Sequence, residues 1–298
     1  VMERRWEPDG PLDVELALGP HRRGTGDPAW RRTPDGSIWR ACRTPDGPST
    51  LRVTVTATAV RAQAWGPGAE WSLETLPALL GALDDVSGFR VRHDVLADVA
   101  RKHAGLRIGR TGRVMEALVP AVLEQKVVGR EAWRAWRHLL RHYGEPAPGP
   151  APDGMRVPPE PVVWRQIPSW HWHRAGAEAV RARTIANAAW HAAKLEAAAT
   201  TEELDRLLRA LPGIGVWTSA EVRQRVFGDA DAVSVGDFHL AKLVGYALTG
   251  EKTDDEGMMR LLEPYRGHRH RATVLVWLSG LRPPARGPRM AARDYRSF

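Results

Sequence analysis

The sequence predicts an α+β protein, with a small β-rich N-terminal domain at residues 1–92 and a mostly α-helical core at 93–298. Three observations predict it. β-Branched residues are dense over Leu51–Val60, and Pro-Asp-Gly turns fall at 34–36 and 45–47. From about Asp94 onward the apolar residues recur at helical spacing. A Leu-Pro-Gly-Ile-Gly turn at 211–215 then joins two helical runs.

In the N-terminal part, Leu12–Leu18 alternates and reads as a strand, as does Leu51–Val60. One helix follows, capped by Ser72 with Thr75 behind it and ending near Leu83. The paired arginines at 4–5, 22–23 and 31–32 read as solvated surface. In the core, helices are expected near 94–103, 111–127, 129–143, 160–166, 174–197, 201–210, 216–227, 237–248, 254–264 and 268–281. Residues 144–161 hold 7 prolines and read as an extended connector. Residues 282–298, with Arg282, Arg286, Arg289, Arg293 and Arg296, read as a basic tail.

At 298 residues and 43% hydrophobic content, the chain can bury a sizeable core. No apolar run approaches the roughly 20 residues that span a bilayer, and the start lacks the apolar stretch of a secretory signal. The single cysteine, Cys42, excludes an internal disulfide and a cysteine-held metal or iron–sulfur cluster. A cytoplasmic, nucleoid-associated protein without membrane contact is expected.

The net charge of +8 is unevenly placed. Residues 1–93 hold 12 basic and 12 acidic residues, whereas residues 94–298 hold 31 basic and 23 acidic. That segregation favours a nucleic-acid surface in the core, although an Arg-rich composition alone gives the same excess. On the helix at 129–143, Arg130, Arg134, Arg137 and Arg141 fall within about 60° of one another. The stripe is either a solvated face or a track for a phosphate backbone. Trp133, Trp136, Trp164 and Trp190 read as core. Trp170-His-Trp-His173 has no carboxylate or cysteine spaced to complete a metal site. His268 and His270 diverge by about 200° on a helix and cannot share a ligand.

The turn at 211–215 carries the chemistry. Its glycines let the backbone approach a partner closely, and the N–H groups opening the next helix remain free for an anion. A phosphodiester is the anion expected of a basic protein. Asp237 follows a glycine-containing loop at the start of an amphipathic helix, where an Asp is by itself an N-cap. Beside a gripped phosphate, the same carboxylate can stabilise an oxocarbenium-like transition state or orient a water.

Residues 211–240 resemble the helix-hairpin-helix DNA glycosylase superfamily, whose signature is this hairpin, a Gly/Pro-rich loop and a catalytic Asp. The resemblance is closest to the bacterial 3-methyladenine DNA glycosylase II branch. It extends through Gly105-Leu-Arg-Ile, Val119-Pro-Ala-Val-Leu-Glu-Gln-Lys-Val and the segment from Pro264 to Trp277. It implies a two-lobed glycosylase core, with one lobe at 111–233 holding the hairpin and a second at 93–110 plus 234–281 holding the catalytic acid. It further implies Asp237 as the catalytic carboxylate, and Trp217, Trp277, Glu221, Gln125 and Phe238 around a base pocket. Leu211, Pro212, Gly213, Ile214, Gly215, Val216, Thr218 and Lys126 are implied as DNA-binding.

Trp217 stands where strand-cleaving relatives carry a Schiff-base lysine, which implies a monofunctional hydrolase; Lys242 reads as a surface lysine. Two residues depart from the pattern: Glu221 replaces an aromatic in the pocket, and Lys126 replaces an apolar wedge. The expectation is a monomeric enzyme releasing alkylated purines from double-stranded DNA, with no organic cofactor. A monovalent cation at the hairpin is the one ion allowed. The alternatives are the same fold acting on hypoxanthine or an oxidised or mismatched base, and a noncatalytic DNA clamp.

Overall fold

The computed structural model describes residues 1–56 and 58–284. In chain order it contains β1 (Met2–Trp6), α1 (Val14–Leu18), β2 (Trp30–Arg32), β3 (Ile38–Thr44), β4 (Gly47–Val55) and β5 (Val60–Trp65). Then come α2 (Ala69–Glu74), α3 (Leu76–Leu79), α4 (Asp94–Lys102), α5 (Val114–Leu123) and α6 (Gly129–Tyr143). A strand pair, β6 (Glu145–Pro146) and β7 (Arg156–Val157), precedes α7 (Pro161–Gln166), α8 (Ser169–Ala175), α9 (Ala179–Trp190) and α10 (Ala192–Glu196). The chain continues through α11 (Thr201–Arg209), α12 (Val216–Val226), α13 (Leu240–Thr249), α14 (Asp255–Leu262) and α15 (Arg269–Leu278).

The first five strands form one antiparallel sheet in the order β1-β5-β4-β3-β2. Both Pro-Asp-Gly turns join antiparallel neighbours, β2 to β3 and β3 to β4. Three expectations change here. Leu12–Leu18 holds a helix: Asp13 caps it by accepting from Leu16 N–H at 3.0 Å, and Val14, Ala17 and Leu18 are buried at helical spacing. Over so few residues, alternation and helical spacing select overlapping sets. Leu51–Val60 is two strands, because the chain reverses after Val55, which pairs with Val60, and Thr56 N–H donates to Ala59 C=O. Ser72 lies inside α2, its hydroxyl donating to Ser49 of β4 at 2.7 Å, and Thr75 separates two short helices.

Of the paired arginines, Arg23 is buried and pairs with Glu124 at 3.7 Å. The proline-rich stretch at 144–161 is more than a connector, since β6 pairs with β7. Met155 and Val157 cover the outer sheet face against Trp39, whose ring stacks on Trp65 with centroids 5.5 Å apart.

The helices begin and end where caps and glycines place them. α5 spans ten residues only, its first N–H groups, of Val114 and Met115, donating to the Glu196 carboxylate at 2.9 and 3.0 Å. The run expected at 174–197 is broken by Gly176, at φ +81°, and again at His191. The arginine stripe of α6 is not an open track. Arg137 donates to Thr25 C=O at 3.1 Å and Arg134 lies against Gly176, which leaves Arg130 and Arg141 at the exposed ends. Trp136 and Trp164 are core and Trp133 is half-buried, but Trp190 is 69% exposed under the Arg165 guanidinium.

Buried apolar residues gather in three main groups: the inner sheet face with α1–α3, the helices from α5 to α12, and α4 with α13–α15. Buried polar ties join them. Arg271 of α15 pairs with Asp84, and Thr111 N–H donates to Arg225 C=O at 2.8 Å. Among the described residues no helix is long and apolar enough to cross a membrane. Arg282 is described; Arg286, Arg289, Arg293 and Arg296 lie outside the described residues.

Candidate active site

The hairpin joins α11, which is capped at its start, to α12, whose N-cap Gly215 has no side-chain cap. Thr200 caps α11 by accepting from Glu203 N–H at 3.1 Å, and Glu203 reaches back to accept from Ala199 N–H at 3.0 Å. Leu211 and Ile214 are buried and anchor the turn, so they reach a ligand only through their backbone. Gly213 has φ +87°, and a Cβ there would lie 2.3 Å from Thr184 Oγ1, so only glycine fits. Gly215 has open space around it. The first helical bond of α12 runs from Ser219 N–H to Gly215 C=O, so the N–H groups ahead of it have no helical acceptor. Pro212, Gly213, Gly215 and Val216 are exposed there.

Two expected roles change at the hairpin. Thr218 is buried, and its hydroxyl accepts from the Gln125 amide at 2.9 Å. Gln125 also donates to Gly213 C=O at 2.9 Å, so its side chain braces the hairpin and does not line a base pocket. Lys126 beside it is exposed and has φ +55°, the only positive φ outside glycine among the described residues.

Asp237 sits in a loop after Gly236, at φ +90°, and α13 starts three residues later than expected. Its Oδ1 accepts from the N–H groups of His239 and Leu240 at 2.8 and 2.9 Å. Its Oδ2 accepts from the indole N–H of Trp217 at 3.3 Å. One oxygen is thus fixed by backbone, and the other is held by a single longer bond.

Asp237 opens onto a cavity of about 300 Å³. That volume is at the lower end for small-ligand pockets and suits one nucleobase. Trp277 forms part of its wall and is 47% exposed, with the Arg282 guanidinium 4.7 Å above its ring. Trp217 reaches Asp237 without lining the cavity. Phe238 is outside it as well, 71% exposed and covered by the Lys242 ammonium at 4.4 Å.

Glu221 faces the cavity. Its carboxylate accepts from Arg225 Nη1 at 2.8 Å and from the Ser234 hydroxyl. Burial opposes its ionisation, but Arg225, the Ser234 hydroxyl and His270 outweigh that and hold it below the usual carboxylate value. His270 shares the wall and is pushed down to about 4, chiefly by burial. His21, from the segment after α1, is also driven well below its ordinary value by burial and by Arg40, Arg225 and Arg23. Arg225, Ser234, His270 and His21 were not expected as site residues. Only the i,i+4 spacing of Glu221 and Arg225 carried a local signal.

Among the described residues no group of three or more His, Cys, Asp or Glu side chains could hold a metal ion. The hairpin carbonyls of Leu211 and Gly213 accept from Ile214 N–H and from Gln125.

No protein-family model matches the sequence, and no curated protein matches it. Solved structures do. The chain is similar to a 3-methyladenine DNA glycosylase from Archaeoglobus fulgidus, with TM-score 0.74 and 16% identity over 93% of this chain and 97% of that one. It is similar to MBOgg1 in complex with a low-affinity DNA ligand, with TM-score 0.71 and 14% identity over 94% and 96%. It is also similar to the apo form of the Clostridium acetobutylicum 8-oxoguanine glycosylase/lyase, with TM-score 0.69 and 11% identity over 94% and 99%. The chain shares its fold with these solved DNA glycosylases across almost its whole length.

Proposed function

We propose that the protein is a monofunctional DNA glycosylase that hydrolyses the N-glycosidic bond of damaged purines, alkylated purines first among them, in duplex DNA. The observation that carries this reading is the Asp237 carboxylate at a nucleobase-sized cavity, with its Trp217 partner on the helix that the phosphate-binding hairpin opens. The hairpin N–H groups grip a phosphate, and the target nucleotide is flipped out at a cost of roughly a few kcal/mol. The Asp237 charge then stabilises the sugar cation as the base departs, or orients the attacking water. N3- or N7-alkylated purines are cationic and leave without a dedicated acid, and the Trp277 face attracts them.

Trp217 in place of a Schiff-base lysine supports hydrolysis without strand cleavage. Lys242 is exposed and turned onto Phe238. A monovalent cation at the hairpin would meet the Leu211 and Gly213 carbonyls, each of which keeps a second lone pair. The positive charge of such an ion would favour a phosphate bound at the hairpin, and no step of the reaction runs through it. The domain boundary belongs near residues 92–93, with lobes at 111–233 and at 93–110 plus 234–281, and the protein acts as a monomer on DNA. A second reading, the same fold acting on an oxidised or deaminated base, is favoured by the polar Glu221–Arg225 wall.

The test is base release from a panel of singly modified duplexes, with Asp237→Asn as control. Release by the unmodified chain and none by the variant is expected. Near-normal release by the variant sinks the assignment.

A further inference from the structure

The cavity has two carboxylates among its described lining residues, and the chemistry above uses one, Asp237. The other, Glu221, is fixed at both oxygens. Arg225 holds one and is itself anchored by donating from Nε to Pro20 C=O at 3.2 Å. The Ser234 hydroxyl holds the other, and Ser234 accepts in turn from Gln224 at 3.0 Å, whose amide also donates to Ala232 C=O at 2.8 Å. A carboxylate offers about four lone-pair sites, so each oxygen keeps an acceptor position after these bonds. The result is a carboxylate fixed before anything binds, in the wall of a cavity sized for one base.

Two adjacent acceptors match two adjacent parallel N–H donors. Among purines that pattern belongs to the 2-amino-6-oxo edge, where N1–H stands beside the 2-amino group. An adenine-type edge places a bare ring nitrogen against the carboxylate, and hypoxanthine supplies N1–H without the second donor. We propose that Glu221 is the specificity-determining residue of the cavity, accepting N1–H and the 2-amino N–H of a guanine-type base. The preferred lesions are then guanines modified elsewhere on the ring, at N7 or C8. His270, whose ring has no hydrogen-bond partner among the described residues, supplies a donor for the O6 carbonyl in the same wall. The inference rests on the glycosylase reading and narrows its substrate.

The full chain is assayed under single-turnover conditions on duplexes carrying one 7-methylguanine, 8-oxoguanine, 3-methyladenine or hypoxanthine. Release from at least one guanine-type duplex is expected, and the pair of them tells alkylated from oxidised guanine. Glu221→Gln lowers that rate about ten- to a hundredfold, because one N–H then meets an N–H; the loss on the other two duplexes is smaller by about fivefold or more. A second comparison needs no variant: a 7-methylhypoxanthine duplex, which lacks only the 2-amino group, is processed about tenfold more slowly than 7-methylguanine by the unmodified chain. Equal losses on all lesions, an unchanged guanine rate, or release of adenine-type bases alone overturns the assignment of Glu221 and leaves the glycosylase reading standing. No release from any duplex overturns that reading, and this inference with it.

Discussion

The indole N–H of Trp217 donates to the Asp237 carboxylate at 3.3 Å, linking the first turn of α12 to the loop that enters α13. Trp217 thus helps to orient the carboxylate. Trp217→Phe removes this bond and keeps the ring, and is expected to slow base release about tenfold. Asp237→Asn keeps the bonds from His239 and Leu240 and loses the charge, so measurable release disappears, a loss of about three orders of magnitude. Duplex binding, followed by fluorescence anisotropy, should remain within about threefold for both.

The two hairpin glycines should behave differently. Gly213→Ala forces a Cβ against Thr184 at positive φ, and should cost about 2–3 kcal/mol in chemical unfolding. Gly215→Ala meets no neighbour and has φ −99°, so stability should change by less than about 0.5 kcal/mol. Its methyl occupies the approach of a phosphate, and duplex affinity should fall about fivefold or more. Equal effects of the two on both measurements would separate the hairpin from DNA binding.

The Asp84–Arg271 pair is 2% and 3% exposed, and Asp84 also accepts from Ile108 N–H at 2.8 Å. Asp84→Ala strands a buried guanidinium and is expected to cost about 3–5 kcal/mol. Asp84→Ala combined with Arg271→Met should recover part of that loss in urea unfolding, since no unpaired charge remains.

His270, at about 4 in the folded protein against an ordinary 6.5, makes stability fall in acid. The unfolded chain takes up the proton first, so the stability present above pH 6.5 is lost as pH drops towards 4, by up to about 3 kcal/mol. His21 acts in the same direction. Glu221, held low, adds stability above about pH 4.5 that is lost below it. Urea midpoints for His270→Asn should therefore vary less between pH 7 and 5 than those of the unmodified chain, without becoming flat.

The parts of this fold legible in the sequence are those whose cause is local. The hairpin is written in its Pro-Gly-Ile-Gly turn, and Asp237 is written in the Val-Gly-Asp loop. Val14–Leu18 was not, because five residues carry both periodicities, and neither was the break after Val55, where no Gly or Pro marks the reversal. Gln125 and Phe238 show a different limit. Their identities suit a base pocket, but the rotation of each backbone segment sends one to the hairpin and the other to solvent. His21 meets Arg225 from some two hundred positions away, and no window along the chain contains that pairing.

The bond from Arg225 to the Pro20 carbonyl, with Leu16 and Pro20 in the cavity wall, separates the making of the acid from the making of the room around it. The loop ahead of α13 carries the carboxylate, whereas the opening segment of the polypeptide forms part of one side of the chamber. A chain shortened at its front would keep the carboxylate and the hairpin and have an open trough in place of an enclosure. Changes in that distant opening segment would therefore reshape the chamber without touching Asp237.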